Sequence, residues 1–152
     1  MSESRIEYLS PQEYNAYKCC GVVALLNALR YFGKDTMDLE GPAWRGLVRE
    51  AGCRGRPCLE TRIDDIAGDL GIVRNIIPRT LEAVRENLPV MVPLCTTTAP
   101  YHIALAIGVE EDIVEMANYG GYMYYDVVSH RCWEKIRFVS EDIANTYAVR
   151  LA

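Results

Sequence analysis

An α+β fold is the expectation for this chain, and two observations predict it. Before Pro89 the apolar residues recur at helical spacing, and after it they fall into short runs of strand length. Helices first and strands second is the pattern of an antiparallel sheet with helices packed on it. At 152 residues the chain matches one domain, 1–152, long enough to bury a core without a disulfide or metal staple.

Each element has a local signal. Val22, Val23, Leu26, Leu29 and Phe32 predict a helix over Cys20–Phe32, and Gly33 stands where a left-handed C′ residue belongs. Pro42, suited to a first helical position, opens a second helix to about Ala51, which Gly52 ends. Cys53–Glu60 reads as a loop. Thr61 is the expected cap of a third helix through Leu70, with Asp64 and Asp65 in its first turn and Gly71 beyond its end. Thr80 caps a fourth, shorter helix to about Leu88. Strands follow at Val90–Leu94, His102–Val109 and Ile113–Ala117, the last two joined by a turn at Glu110–Asp112. Tyr122–Val128 and Tyr147–Leu151 read as further strands, with a helical turn near Trp133.

Composition excludes several functions. The chain is 50% hydrophobic and 24% charged, which is not the composition of a disordered segment. A net charge of -5 argues against a protein that holds nucleic acid by neutralising phosphates. The first residues are polar and charged, without the apolar run of a secretory signal. The uncharged stretch Leu88–Ile107 is broken by prolines, threonines and a histidine, so no membrane span is expected. A cytoplasmic location follows as the expectation, with the six cysteines as thiols rather than bridges.

Chemistry concentrates at three element boundaries. Lys18-Cys19-Cys20-Gly21 sets cysteines at a helix N-terminus, where unpaired amides and the macrodipole favour an anion. A thiolate there is expected to have a lowered pKa and to act as a nucleophile, with Gly21 keeping the approach open. His102, one of two histidines, opens the most apolar strand directly after a loop. Asn118 ends the next strand; if the two strands form a hairpin, it lies beside His102 and can orient the imidazole. His130, among Ser129, Arg131 and Cys132, reads as a surface residue. Read one at a time, these residues have plain structural explanations: small apolar cysteines starting a buried helix, a strand-end histidine, an asparagine in a turn. Their conjunction points to nucleophilic catalysis.

These motifs resemble the papain-like cysteine peptidases, and within them the bacteriocin-processing, double-glycine-leader peptidases and their stand-alone relatives. Cys20-Gly21, Leu25, Leu26 and the closing Tyr31-Phe32-Gly33 are similar to that family's nucleophile helix, and Tyr122–Trp133 to its tail. The interval of 16 residues from His102 to Asn118 is similar to the family's His-to-Asp interval. The resemblance implies a papain-like fold, with N-terminal helices packed on a C-terminal antiparallel β-sheet. It implies Cys20 as nucleophile, because the family's nucleophile precedes a glycine, with Cys19 where Asp is frequent. It implies His102 as general base and acid, Asn118 as its orienter in place of the family's usual Asp, and Gln12 as the oxyanion-hole side chain. Gln12 precedes Cys20 by eight residues, a longer interval than the family's, so Asn15 or main-chain amides are alternative donors.

The implied activity is a cysteine endopeptidase acting on a peptide or protein substrate, with no metal or organic cofactor. Two alternatives stay open. A weaker likeness to phytochelatin synthases, in Cys20-Gly21 and Leu26-Asn27-Ala28-Leu29, implies acyl transfer to an acceptor other than water. The Gln12 offset suits a non-catalytic domain that binds a peptide without cutting it. A metal site from Cys53, Cys58, His130 and Cys132 has looser spacing than common zinc sites, and Cys95 reads as core. The alternating tyrosines of Tyr119–Tyr125 read as a packed strand, or as one wall of a substrate groove. Arg54-Gly55-Arg56 reads as a solvated loop.

Overall fold

The structure is a computed structural model that describes residues 8, 20–44, 46, 60–94, 102–111, 113–118, 121–126 and 146–152. Helix α1 spans Cys20–Tyr31, and every residue from Gly21 to Leu29 is buried. The apolar spacing predicts one buried stripe; the helix is instead enclosed all round, as in the centre of a core. It ends in a Schellman motif. Gly33, at φ 75°, donates its N–H to the Arg30 carbonyl (3.0 Å), and Lys34 donates to that of Leu29 (2.9 Å). Only a residue without a Cβ adopts that φ without strain.

The chain then turns back along α1 through a short 3-10 helix at Met37–Leu39. Arg30 holds the return: its Nε donates to Thr36 Oγ1 (3.1 Å) and its guanidinium pairs with Glu40, while Thr36 Oγ1 donates to Glu40 Oε2 (3.2 Å). Residues 42–44 and 46 are helical, as Pro42 predicts; the rest of that expected helix, the loop before Glu60 and the Trp133 turn lie outside the described residues.

Helix α2 spans Glu60–Asp69, so Thr61 lies inside the helix rather than capping it, and Asp64 and Asp65 stand two residues deeper than expected. Gly71, at φ 73°, follows its end as predicted. Strand β1, Ile72–Ile77, comes next and corrects the expected order, since a strand stands between the helices. Its Arg74 donates from Nε to Asp64 of α2 (2.9 Å) and lays its guanidinium 4.0 Å from the centre of the Tyr147 ring. Helix α3 spans Leu81–Asn87 and is capped as predicted, Thr80 accepting from the Ala83 N–H at 3.1 Å.

Strands β2 (Val90–Leu94), β3 (His102–Glu110), β4 (Ile113–Asn118), β5 (Gly121–Asp126) and β6 (Thr146–Leu151) follow. β2 has its expected bounds and the others differ from theirs by one residue at a described end; positions 127 and 128 of the expected Tyr122–Val128 strand lie outside the described residues. Among the described residues the sheet has six strands in the order β1-β6-β2-β3-β4-β5, all antiparallel. The coarse α+β class therefore holds.

Alternation of side chains divides the core between the two faces of the sheet. Met91, Leu105, Ala117, Tyr147 and Val149 pack with α1 and with Ile63 and Ala67 of α2. Val90, Val92, Ala104, Ala106, Val114 and Met116 face the other way and pack with Val84 of α3. Arg85 of α3 also donates to the Glu111 carbonyl (2.6 Å), fastening that helix to the β3–β4 turn. No helix among the described residues is long and apolar enough to cross a membrane.

Candidate active site

Cys20 is the first residue of α1, His102 the first of β3 and Asn118 the last of β4. Main-chain pairing sets His102 opposite Leu94, the last residue of β2, and Asn118 opposite Gly121, the first of β5. β3 and β4 are antiparallel neighbours with Leu105 opposite Ala117, so His102 and Asn118 lie at the same end of the sheet, as the hairpin argument predicts. Gln12, Asn15, Cys19, Cys53, Cys58, Cys95, His130, Cys132 and the Arg54–Arg56 loop lie outside the described residues. Of the Tyr119–Tyr125 segment, 121–125 belong to β5.

Cys20 is a partly buried thiol. The main chain of Ile103, the residue after His102, is among the groups that act on its sulfur. The register fixes which way the main chain of Ile103 points. Val149 N–H donates to the Pro89 carbonyl (3.0 Å), which fixes the odd-numbered residues of β2 as those facing β6. The even-numbered residues therefore exchange hydrogen bonds with β3, in the pairs Val90 with Ala106, Val92 with Ala104 and Leu94 with His102. Pro93 opposite Ile103 is a non-hydrogen-bonded pair, a position that tolerates a residue with no N–H. Ile103 accordingly turns its main-chain groups toward β4, but the described ladder there ends at Leu105 and Ala117.

The electrostatics correct one expectation. A helix N-terminus predicts a lowered thiol pKa, whereas burial pushes the Cys20 thiol above its ordinary value. Hydrogen bonds from the main chain of Ile103, Gly21 and Cys20 itself pull the other way without overcoming burial. All three favour the thiolate, as N–H donors do. Gly21 is buried beside the sulfur.

Ile103 is not among the residues the sequence singles out. An apolar side chain carries no sign of what its amide does, and Pro93 in a predicted strand is the local hint to which strand residues turn toward β3. No protein-family model matches the chain, and no curated protein sequence matches it significantly.

Proposed function

We propose that the protein is a papain-like cysteine peptidase that cleaves peptide bonds with Cys20, His102 and Asn118. One observation supports the reading: Cys20 opens α1, which packs on β3, while His102 opens β3 and Asn118 closes its neighbour β4 at the same end of the sheet. In this mechanism the Cys20 thiol passes its proton to His102, whose ring Asn118 orients. The thiolate attacks a peptide carbonyl, and the oxyanion is held by the Cys20 amide and the Gln12 side chain. His102 gives the proton to the departing amine, leaving a thioester on Cys20. Water, deprotonated by His102, then releases the acid and restores the thiol. Burial of the sulfur suits this scheme, because a thiolate formed against an imidazolium is a pair rather than an isolated buried charge.

The test incubates the purified protein with peptides that include a double-glycine sequence and reads products by mass spectrometry. Cleavage by the wild type and its loss in Cys20→Ala and His102→Ala are the expected results. A Cys20→Ala variant that still cleaves, or an active-site thiol reagent that labels another cysteine first, overturns the reading. Adding glutathione to the same assay distinguishes hydrolysis from acyl transfer.

The raised thiol pKa favours a second reading, a papain-like domain that binds a peptide without cutting it. A peptide bound tightly by the wild type yet intact after prolonged incubation supports that alternative.

A further inference from the structure

We propose that the groove between the C-terminal ends of α1 and α2 takes a lysine or arginine side chain of a peptide, its hydrocarbon stem on a leucine floor and its charged head at Asp69. The groove is independent of the proposed catalysis. Leu29, which lines it, stands at the other end of α1 from Cys20, about 14 Å away along a helix that rises about 1.5 Å per residue.

Shape is the first observation. The groove has a volume of about 440 Å³, within the roughly 300–1,000 Å³ of ligand sites. Leu29, Leu39, Leu70 and Leu151 make its apolar part; Leu29 is buried and the other three are half-buried. Ala152 donates its N–H to the Gly71 carbonyl (2.9 Å), which fixes the end of β6 as one wall. Lys34, Asp35 and Asp69 are exposed and form the rim. An occupant therefore keeps one side in water, as a side chain on a longer chain does and an enclosed small molecule does not.

Charge selects a cation. Both helices turn the negative ends of their dipoles to the groove. α1 answers its own with Arg30 in its last turn and Lys34 just beyond. Asp35 is engaged as well, accepting from the Met37 N–H (2.9 Å). The end of α2 is built the other way. It has no basic residue in its last turn and closes on Asp69, one helical turn after Asp65. A carboxylate there is opposed by the macrodipole and by a like charge at i−4. Among the described residues Asp69 has no ion-pair partner. The charge stands where the fold alone disfavours it, and a bound cation relieves both repulsions. The methylene stem of lysine or arginine covers apolar surface while its head stays at the wet rim, which is the division this groove offers.

The experiment titrates the isotope-labelled full chain with acetyl-Leu-Lys-Leu-amide and follows the amide resonances of Leu29, Leu70, Gly71 and Ala152. Saturable shifts at those residues are expected. The glutamine peptide, acetyl-Leu-Gln-Leu-amide, is expected to bind about threefold to tenfold more weakly, the effect of one exposed ion pair joined to a helix end. n-Butylammonium, the side chain alone, is expected to bind more weakly than the lysine peptide. Asp69→Asn is expected to abolish the preference for lysine over glutamine and, in the same protein, to raise the urea midpoint of unfolding. Glu82→Gln controls for net charge, because Glu82 lies in the first turn of α3, where the dipole favours a carboxylate. That variant is expected to keep the preference and to lower the midpoint.

Equal binding of the lysine and glutamine peptides, shifts that do not saturate or that fall elsewhere, or a midpoint lowered by Asp69→Asn overturns the proposal. n-Butylammonium bound as tightly as the lysine peptide overturns the choice of a peptide as occupant. Failure of the peptidase reading shows in uncut peptides and leaves each of these outcomes as it is.

Discussion

At the residue scale, Cys20 stands under two opposed influences: burial, which disfavours its charged form, and a set of main-chain donors that favours it. Burial prevails, and this has a sign in stability. Below the ordinary thiol pKa, folded and unfolded chains both keep the proton. As the pH rises through that value the unfolded chain releases its proton first, so the contribution of Cys20 to stability is lost on the alkaline side until the folded thiol also ionises. Urea unfolding midpoints measured at neutral and alkaline pH are expected to fall more steeply for the wild type than for Cys20→Ala. Equal slopes in the two proteins would remove burial as the dominant influence. Thr80 offers a plainer case: Thr80→Ala frees the Ala83 N–H and is expected to cost about 1 kcal/mol in the same unfolding measurement.

At the scale of the element, α1 is the piece on which the core closes. Leu25 and Leu26 lie on different sides of it, and both have 0% exposure, so neither is the solvent face of an amphipathic helix. Leu26→Ala is expected to destabilise by about 2–5 kcal/mol in chemical denaturation, since packing all round leaves little room to collapse into the cavity. A cost under about 1 kcal/mol, the scale of a lost cap, would mean that the helix is less enclosed than described. The boundaries of α1, α3, β3 and β4 were legible in the sequence because each has a local device: Gly33 after the first, Thr80 before the second, and the Glu110–Asp112 turn between the strands. That is why Cys20, His102 and Asn118 could be placed at element ends. β1 was not legible. In Ile-Val-Arg-Asn-Ile-Ile the apolar residues come in pairs rather than alternating, and Arg74 belongs to the strand through contacts with Asp64 and Tyr147 distant in sequence. Ile103 was hidden for the same reason, since the direction of its amide depends on how β6 meets β2.

At the scale of the whole molecule, the order β1-β6-β2-β3-β4-β5 sets β2 and β3 in the middle of the described sheet, with apolar layers on both sides. Their interior amides, such as those of Val92, Ala104 and Ala106, are expected to exchange only on global unfolding, and those of β1 at the border of the described sheet to exchange by local opening. Hydrogen-exchange mass spectrometry checks this; protection in β1 equal to that in β3 would contradict the order of stability drawn from the topology. The α+β class, read from the change of apolar period near Pro89, survives at this scale even though β1 precedes that change.

The double covering of the sheet also governs traffic. With α1 and α2 roofing one side and α3 flooring the other, the middles of β2 and β3 admit no visitor until a helix lifts.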